Sequence, residues 1–168
     1  MDILKAYDTV NWQFLIQALY FMGFPSLFIG WIRECVSTPK FSININGELV
    51  GFFGSSRGLR QGDPISSYLF VLVMEVLSML IRHKVEHSES IGHPFQYHWR
   101  CNKSKNTHLC FADNLMLFCG SSPHSANVLH QALLEFYTLS GLAPNHGKSC
   151  IFLAGNNQAY KDIVMNLF

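Results

Sequence analysis

The apolar positions of this chain change their period several times, and each change marks an element. Over residues 12–22, Phe14, Leu15, Ala18, Leu19 and Met22 recur at helical spacing, and Gly23 stops the pattern. Pro25 stands where a helix can begin, and Leu27, Phe28, Trp31, Ile32 and Cys35 continue one face to about Ser37. The period then drops to two. In F-S-I-N-I-N-G-E-L-V-G-F-F, Phe41, Ile43 and Ile45 share one face, and Asn46-Gly47 separates two β-prone runs. That dipeptide predicts a hairpin, because a type I′ turn needs positive φ at both central residues. Residues 55–68 read as a polar loop containing Gly and Arg, and a long apolar helix follows over about 66–87. Residues 88–106 read as a surface excursion.

Further on, T-H-L-C-F-A-D-N-L-M-L-F-C predicts two short apolar strands around a tight Asp113-Asn114 turn. A helix is expected from about Ser122, which can cap it, with Pro123 in the first turn and Gly141 at its end. Lys148 to Leu153 reads as one more strand, and the tail from Asn157 could form a last helix. Strands and helices interleave with at least two hairpins. An α+β fold with antiparallel strands therefore fits better than a doubly wound parallel sheet.

Composition narrows the class. The 168 residues make one domain or a piece of a larger one. With 49% hydrophobic and 14% charged residues, disorder is excluded. A net charge of +1 shows no basic stripe of the kind a nucleic-acid binder acting alone carries. Either the chain binds no nucleic acid, or most of the basic surface belongs to segments outside it. Its five cysteines include no C-x-x-C pair, and H-W-R-C at 98–101 has no second half to close a zinc site. Free thiols in a reducing compartment are the expectation. The apolar run 69–81 is interrupted by Glu75 and too short to span a bilayer, and Met1-Asp2 opens no signal peptide. The expectation is an intracellular chain with no membrane partner.

Acidic residues are scarce, so those inside apolar strands draw notice. Asp113 lies between L-C-F-A and L-M-L-F, and by itself reads first as a turn residue. Asp2 and Asp8 flank M-D-I-L-K-A-Y-D, where Asp8 reads as a helix cap and Asp2 as exposed. Two carboxylates on neighbouring strands would suit divalent-metal phosphoryl transfer. Mg²⁺ binds few protein carboxylates and completes its shell with water and phosphate oxygens, and an ion pair can stabilise both attacking and leaving oxygens. Spacing alone does not bring Asp2 and Asp113 together.

Five blocks occur in one order: D-I-L-K-A-Y-D-T-V-N-W, G-F-P…F-I-G-W-I, R-G-L-R-Q-G-D-P-I-S, F-A-D-N-L-M-L-F and S-G-L…N…K-S. Together, over about residues 1–155, they resemble the reverse transcriptase domain of non-LTR (LINE-type) retrotransposons, particularly those of plants. The resemblance implies a polymerase palm-like antiparallel sheet backed by helices, with fingers incomplete, thumb absent and a tail at 156–168. It implies RNA-templated addition of deoxynucleotides to a DNA 3′-OH, with Mg²⁺ or Mn²⁺ as cofactor. RNA template, DNA primer and dNTP would be the partners, and the nucleus the location. Asp2 then matches a catalytic metal ligand, Ile3 a carbonyl that also holds metal, and Tyr7 the gate under the nucleotide sugar. Arg57 and Arg60 could meet phosphate, while Gln61 and Gly62 match positions against nucleotide and template. Asp113 matches the second metal-binding carboxylate. Lys148 lies in the region of a lysine proposed to protonate pyrophosphate.

The departures matter as much. The family has two consecutive Asp residues at the hairpin tip, and here Asn114 follows Asp113. Asn keeps the size and the turn preference but loses the charge. The family usually reads S-P-L-L-F where this chain has Ser66-Ser67-Tyr68-Leu69-Phe70, and only Met1 precedes Asp2. The expectation is a catalytically inactive palm fragment, a truncated pseudoenzyme. The alternative is a remnant that binds nucleic acid or protein without chemistry.

Overall fold

A computed structural model of the chain describes residues 1–90, 92–154 and 158–167. A single turn, α1 (Ala6–Thr9), leads into α2 (Trp12–Phe21) and α3 (Ser26–Ser37). Asn11 caps α2, its side-chain oxygen accepting from the Gln13 and Phe14 amides at 2.8 and 3.2 Å. The first hairpin is β1 (Lys40–Ile45) with β2 (Glu48–Gly54). Asn46 and Gly47 have φ of 52° and 92°, the doubly left-handed turn that the dipeptide predicts. After a loop come α4 (Pro64–Ser90), the second hairpin β3 (His108–Phe111) and β4 (Asn114–Leu117), then α5 (Pro123–Ser140). A 3₁₀ turn (His146–Lys148) and α6 (Gln158–Leu167) complete the order.

The core lies between α4 and α5, with α2 packed against both. On α4, Leu69, Phe70, Val73, Met74, Leu77, Ile81 and Val85 are buried at three- and four-residue steps. On α5, Val128, Leu129, Ala132, Leu133 and Phe136 face them, and the Lys84–Glu135 ion pair at 2.7 Å ties the two helices at their rim. Helix α4 is longer than the sequence pattern predicts, and it is long and apolar enough by composition to cross a membrane. Its apolar stripe is spent on α2 and α5, as in the central helix of a packed domain. The described part of α6 sets Tyr160 and Val164 on Ala126 of α5.

Several expectations need correction. Instead of one antiparallel layer, the described residues form two separate two-stranded sheets. The second is extended only by single antiparallel bridges, Asp2 to Asn114 and Ile3 to Pro144. The second turn lies at Ala112-Asp113, one residue before the expected place, and Asn114 already pairs with Phe111 in β4. No strand forms at 148–153. Pro144 has no N–H to extend a ladder, and the Lys148 amide and Ser149 hydroxyl both return to the Asn145 carbonyl, curling the chain. Ser122 precedes α5, but its side chain makes no capping bond, and Gly141 ends the helix at φ 77° as expected. The excursion is anchored: Phe95 is buried, and the Gln96 amide donates to the Ser125 hydroxyl at 2.9 Å. The expected boundary at 155/156 lies outside the described residues.

Candidate active site

Residues 1–4 run between β4 and the segment 143–145. On one side the Met1 nitrogen donates to the Leu115 carbonyl at 2.8 Å, the Leu115 amide to the Met1 carbonyl at 2.9 Å, and the Ile3 amide to the Asp113 carbonyl at 3.1 Å. On the other side the Leu4 amide donates to Ala143 at 2.9 Å, and the Asn145 amide to the Asp2 carbonyl at 2.8 Å. The start of the chain is thus tied down on both edges. Directly opposed antiparallel residues hold their Cβ atoms about 4.5–5.5 Å apart, and Asp2 stands opposite Asn114.

Each of the two carboxylates carries one amide. The Asn145 side chain donates to Asp2 Oδ2 at 3.0 Å, and the Asn114 side chain reaches Asp113 Oδ1 at a longer 3.4 Å. Asp2 and Asp113 are both half-buried. The turn between β3 and β4 places Ala112 at φ 52°, in the left-handed region that costs a non-glycine residue about 1–2 kcal/mol. Leu115, 2% exposed, anchors β4 beneath the site. On β3, His108 Nε2 meets the Ser78 hydroxyl of α4 at 2.9 Å. Burial pulls the His108 pKa below its usual 6.5, with Glu75 opposing and Arg82 adding to the effect.

The remaining expected residues lie on other segments, and the cleft that holds Arg57, Arg60 and Gln61 is lined by neither Asp2 nor Asp113. Tyr7, half-buried, stacks on Phe70 of α4 with centroids 4.8 Å apart and planes 20° from parallel. The loop 57–62 is clamped to α1 and α2: the Gly58 amide donates to Val10 at 2.8 Å, Leu59 to Tyr7 at 2.6 Å, and Trp12 Nε1 to the Gly58 carbonyl at 2.6 Å. Gly58, at φ 92°, has no space for a side chain, since a Cβ there would stand 2.7 Å from the Asp8 carbonyl oxygen. Arg57, Arg60 and Gln61 line an open cleft of about 470 Å³ together with Asp8 and Trp12. Gln61 donates to Asp8 Oδ1 at 3.1 Å, so Asp8 is a loop anchor and Asn11 takes the capping role. Gly62 has φ 88° and open space around its Cα. Lys148 is exposed on the 3₁₀ turn and takes no part in an ion pair among the described residues.

Sequence reasoning passed over three participants. Asn145 belongs to the fifth block, but its bond to Asp2 spans 143 positions and has no local signal. Gly58 and Trp12 likewise stand within quoted blocks, and only the packing of the loop on α1 and α2 gives them a task. Among the described residues no group of three or more His, Cys, Asp or Glu side chains is arranged to hold a metal. The carboxylate pair still suits Mg²⁺, which takes one or two protein carboxylates and fills its octahedron with water and phosphate oxygens.

Comparison with known proteins identifies the family. The profile of the family described as reverse transcriptase (RNA-dependent DNA polymerase) matches residues 1–163. The chain is similar to the retrovirus-related Pol polyprotein from type-2 retrotransposable element R2DM of Drosophila melanogaster, at 27% identity over 148 residues. Those cover 88% of this chain and 13% of the polyprotein. It is similar to AtMg01250, an uncharacterized mitochondrial protein of Arabidopsis thaliana, at 36% identity over 67% of this chain and 88% of that protein. A 149 kDa protein of transposon TX1 from Xenopus laevis is 32% identical over 51% of this chain and 6% of its own length.

Proposed function

Since the chain belongs to the reverse transcriptase (RNA-dependent DNA polymerase) family, we propose that residues 1–155 are the palm region of a LINE-type retroelement polymerase with weakened chemistry. The reading rests on one observation above the others: Asp2 and Asp113 come from segments 111 positions apart in sequence and are joined by the Ile3 amide on the Asp113 carbonyl. Its partners are an RNA template, a DNA primer and deoxynucleotides, and its place is the nucleus of a plant cell. Asp2, Asp113 and the Ile3 carbonyl would hold Mg²⁺ or Mn²⁺, which when bound polarises phosphoryl oxygens and favours loss of a proton from the attacking hydroxyl.

The chain's own residues do the positioning. Tyr7, backed by Phe70, is a stiff wall under the incoming sugar, and its ring rejects a 2′-OH. Arg57 and Arg60 meet phosphates, which fix register without reading sequence. Gly62, with open space and positive φ, lets the backbone lie against nucleotide and template beside Gln61. Lys148, exposed on the 3₁₀ turn, would be the donor toward departing pyrophosphate.

Asn114 sets the weakness. Two unit charges about 4 Å apart interact by roughly 4 kcal/mol at an effective dielectric of 20, and a divalent ion doubles that. With about 1.4 kcal/mol worth a factor of ten in rate, loss of one carboxylate lowers synthesis by orders of magnitude while the fold is retained. A second reading, protein binding without chemistry, draws on the exposed apolar side chains of the first hairpin, Phe52 at 74% above all. Primer extension by the folded chain on an RNA template with Mg²⁺ or Mn²⁺ tests the first. It predicts trace extension that Asp113→Asn removes; robust extension by the unaltered chain contradicts the role given to Asn114.

A further inference from the structure

We infer that Asn145 is a positioning residue that sets the rotamer of Asp2 and so the metal affinity of the site. The inference rests on the proposed metal site and adds a residue to it. The Asn145 side chain donates to Asp2 Oδ2 at 3.0 Å while its main-chain amide donates to the Asp2 carbonyl at 2.8 Å. One residue therefore grips both the backbone and the carboxylate of Asp2. The other carboxylate oxygen, Oδ1, accepts no hydrogen bond from a described residue and is left to an external ligand.

Asn145 is itself held. Its carbonyl accepts from the Lys148 amide at 3.1 Å and from the Ser149 hydroxyl at 2.7 Å. The Ser149 hydroxyl in turn accepts from the Asp2 amide at 3.3 Å, closing a ring of contacts around residue 2. The 3₁₀ turn at His146–Lys148, which ends where the expected strand would begin, is what produces this ring. An extended path through residues 145–149 would lack the return of Lys148 and Ser149 to one carbonyl.

The two amides differ in kind. Asn114 sits opposite Asp2 on β4 and reaches its own neighbour Asp113 at 3.4 Å, at the limit of a hydrogen bond. Asn145 makes the shorter bond from a separately braced segment. A ligand carboxylate oriented by such a partner loses typically 10- to 100-fold in metal affinity when the partner is removed. A rotamer left free would also spend its entropy on binding the ion.

The test is Mn²⁺ titration of the ¹⁵N-labelled full chain, read as paramagnetic broadening of the Ile3 and Asn114 amide signals, with the same spectra reporting folding. Asp2→Ala removes the ligand, Asn145→Ala the orienting amide, and Ser149→Ala a brace that never touches the carboxylate. The expected pattern is loss of binding in Asp2→Ala, about tenfold weaker binding in Asn145→Ala, and a distinctly smaller weakening in Ser149→Ala, which loosens the brace but keeps the amide on Oδ2. If Asn145→Ala does not fold, Asn145→Ser, whose short side chain cannot reach Oδ2, takes its place under the same criterion. Undiminished binding in the Asn145 variant with loss in Asp2→Ala overturns the positioning role and leaves the metal site standing. Equal weakening by Asn145→Ala and Ser149→Ala overturns it in favour of a purely structural role. Absence of broadening in the unaltered chain, or broadening that Asp2→Ala does not change, overturns the metal site and the role of Asn145 together.

Discussion

The two hairpins of this chain were built by similar local signals and ended in opposite circumstances. In β1–β2, Ile43, Ile45, Val50, Phe52 and Phe53 are all about half or more exposed, and among the described residues no helix packs closely on either strand. In β3–β4 the strands are only four residues long, yet Leu115 is buried against the helical core and His108 bonds to α4. Strand-forming residues and turn chemistry decide that a hairpin forms; what packs behind it decides whether it can hold a site. Asp113 sits at the tip of the second hairpin and Asp2 on the segment bridged to β4, and that tip is fixed from below by Leu115 and from the side by residues 1–4.

The sharpest way to break this contrast is truncation in each hairpin. Leu115→Ala should destabilise the fold by about 2–5 kcal/mol, whereas Phe52→Ala should stay within about 0.5 kcal/mol; urea unfolding of both variants measures the gap. Equal losses would mean that the first hairpin is packed too. Next in size are the glycines. Gly58→Ala forces a Cβ to 2.7 Å from the Asp8 carbonyl at φ 92°, while Gly51 in β2 has positive φ and open space. A loss of roughly 2–4 kcal/mol is expected at 58, from clash plus strain, against about 1 kcal/mol at 51. The same denaturation series reads both.

A smaller effect concerns the turns. Ala112→Gly relieves left-handed strain at the site and should be neutral to about 1 kcal/mol stabilising, the gain being offset by a more flexible unfolded chain. Gly47→Ala in the other turn should lose about 1 kcal/mol, and thermal melts suffice for the comparison.

The finest distinction is in pH. The folded-state pKa of His108 lies below 6.5, so the unfolded chain takes up the proton first. The stability this contributes is complete above about pH 6.5 and is lost as pH falls through that value toward the folded-state pKa. Burial lowers His130 in the same direction. Urea midpoints should therefore fall between pH 7.5 and 5.5, and His108→Asn should narrow that fall. The first hairpin contains no histidine and should contribute nothing to it.

What was legible in the sequence was local. Asn46-Gly47, Pro25 and Gly141 each impose a backbone conformation that neighbouring residues cannot override, and all three appear where expected. The second turn slipped to Ala112-Asp113 because Asp and Asn are both turn formers, and pairing with β3 and with Asp2 chose between them. The strand expected at 148–153 was an apolar run without a partner, and Ile151 and Phe152 remain exposed. For the site, the ordered blocks named Asp2 and Asp113. The Asn145 bond to Asp2 and the crowding at Gly58 depend on contacts across 143 and 50 positions, which no local pattern encodes.

The central claim is that a competent carboxylate site is present and that one missing charge at position 114 weakens it. Asn114→Asp, compared with the unaltered chain in primer extension on an RNA template with Mg²⁺, tests it most directly. The account predicts that the variant folds as the unaltered chain does and extends the primer at least about 100-fold faster, the rate equivalent of roughly 2.7 kcal/mol. A folded Asn114→Asp chain that extends no better than the unaltered one would contradict it.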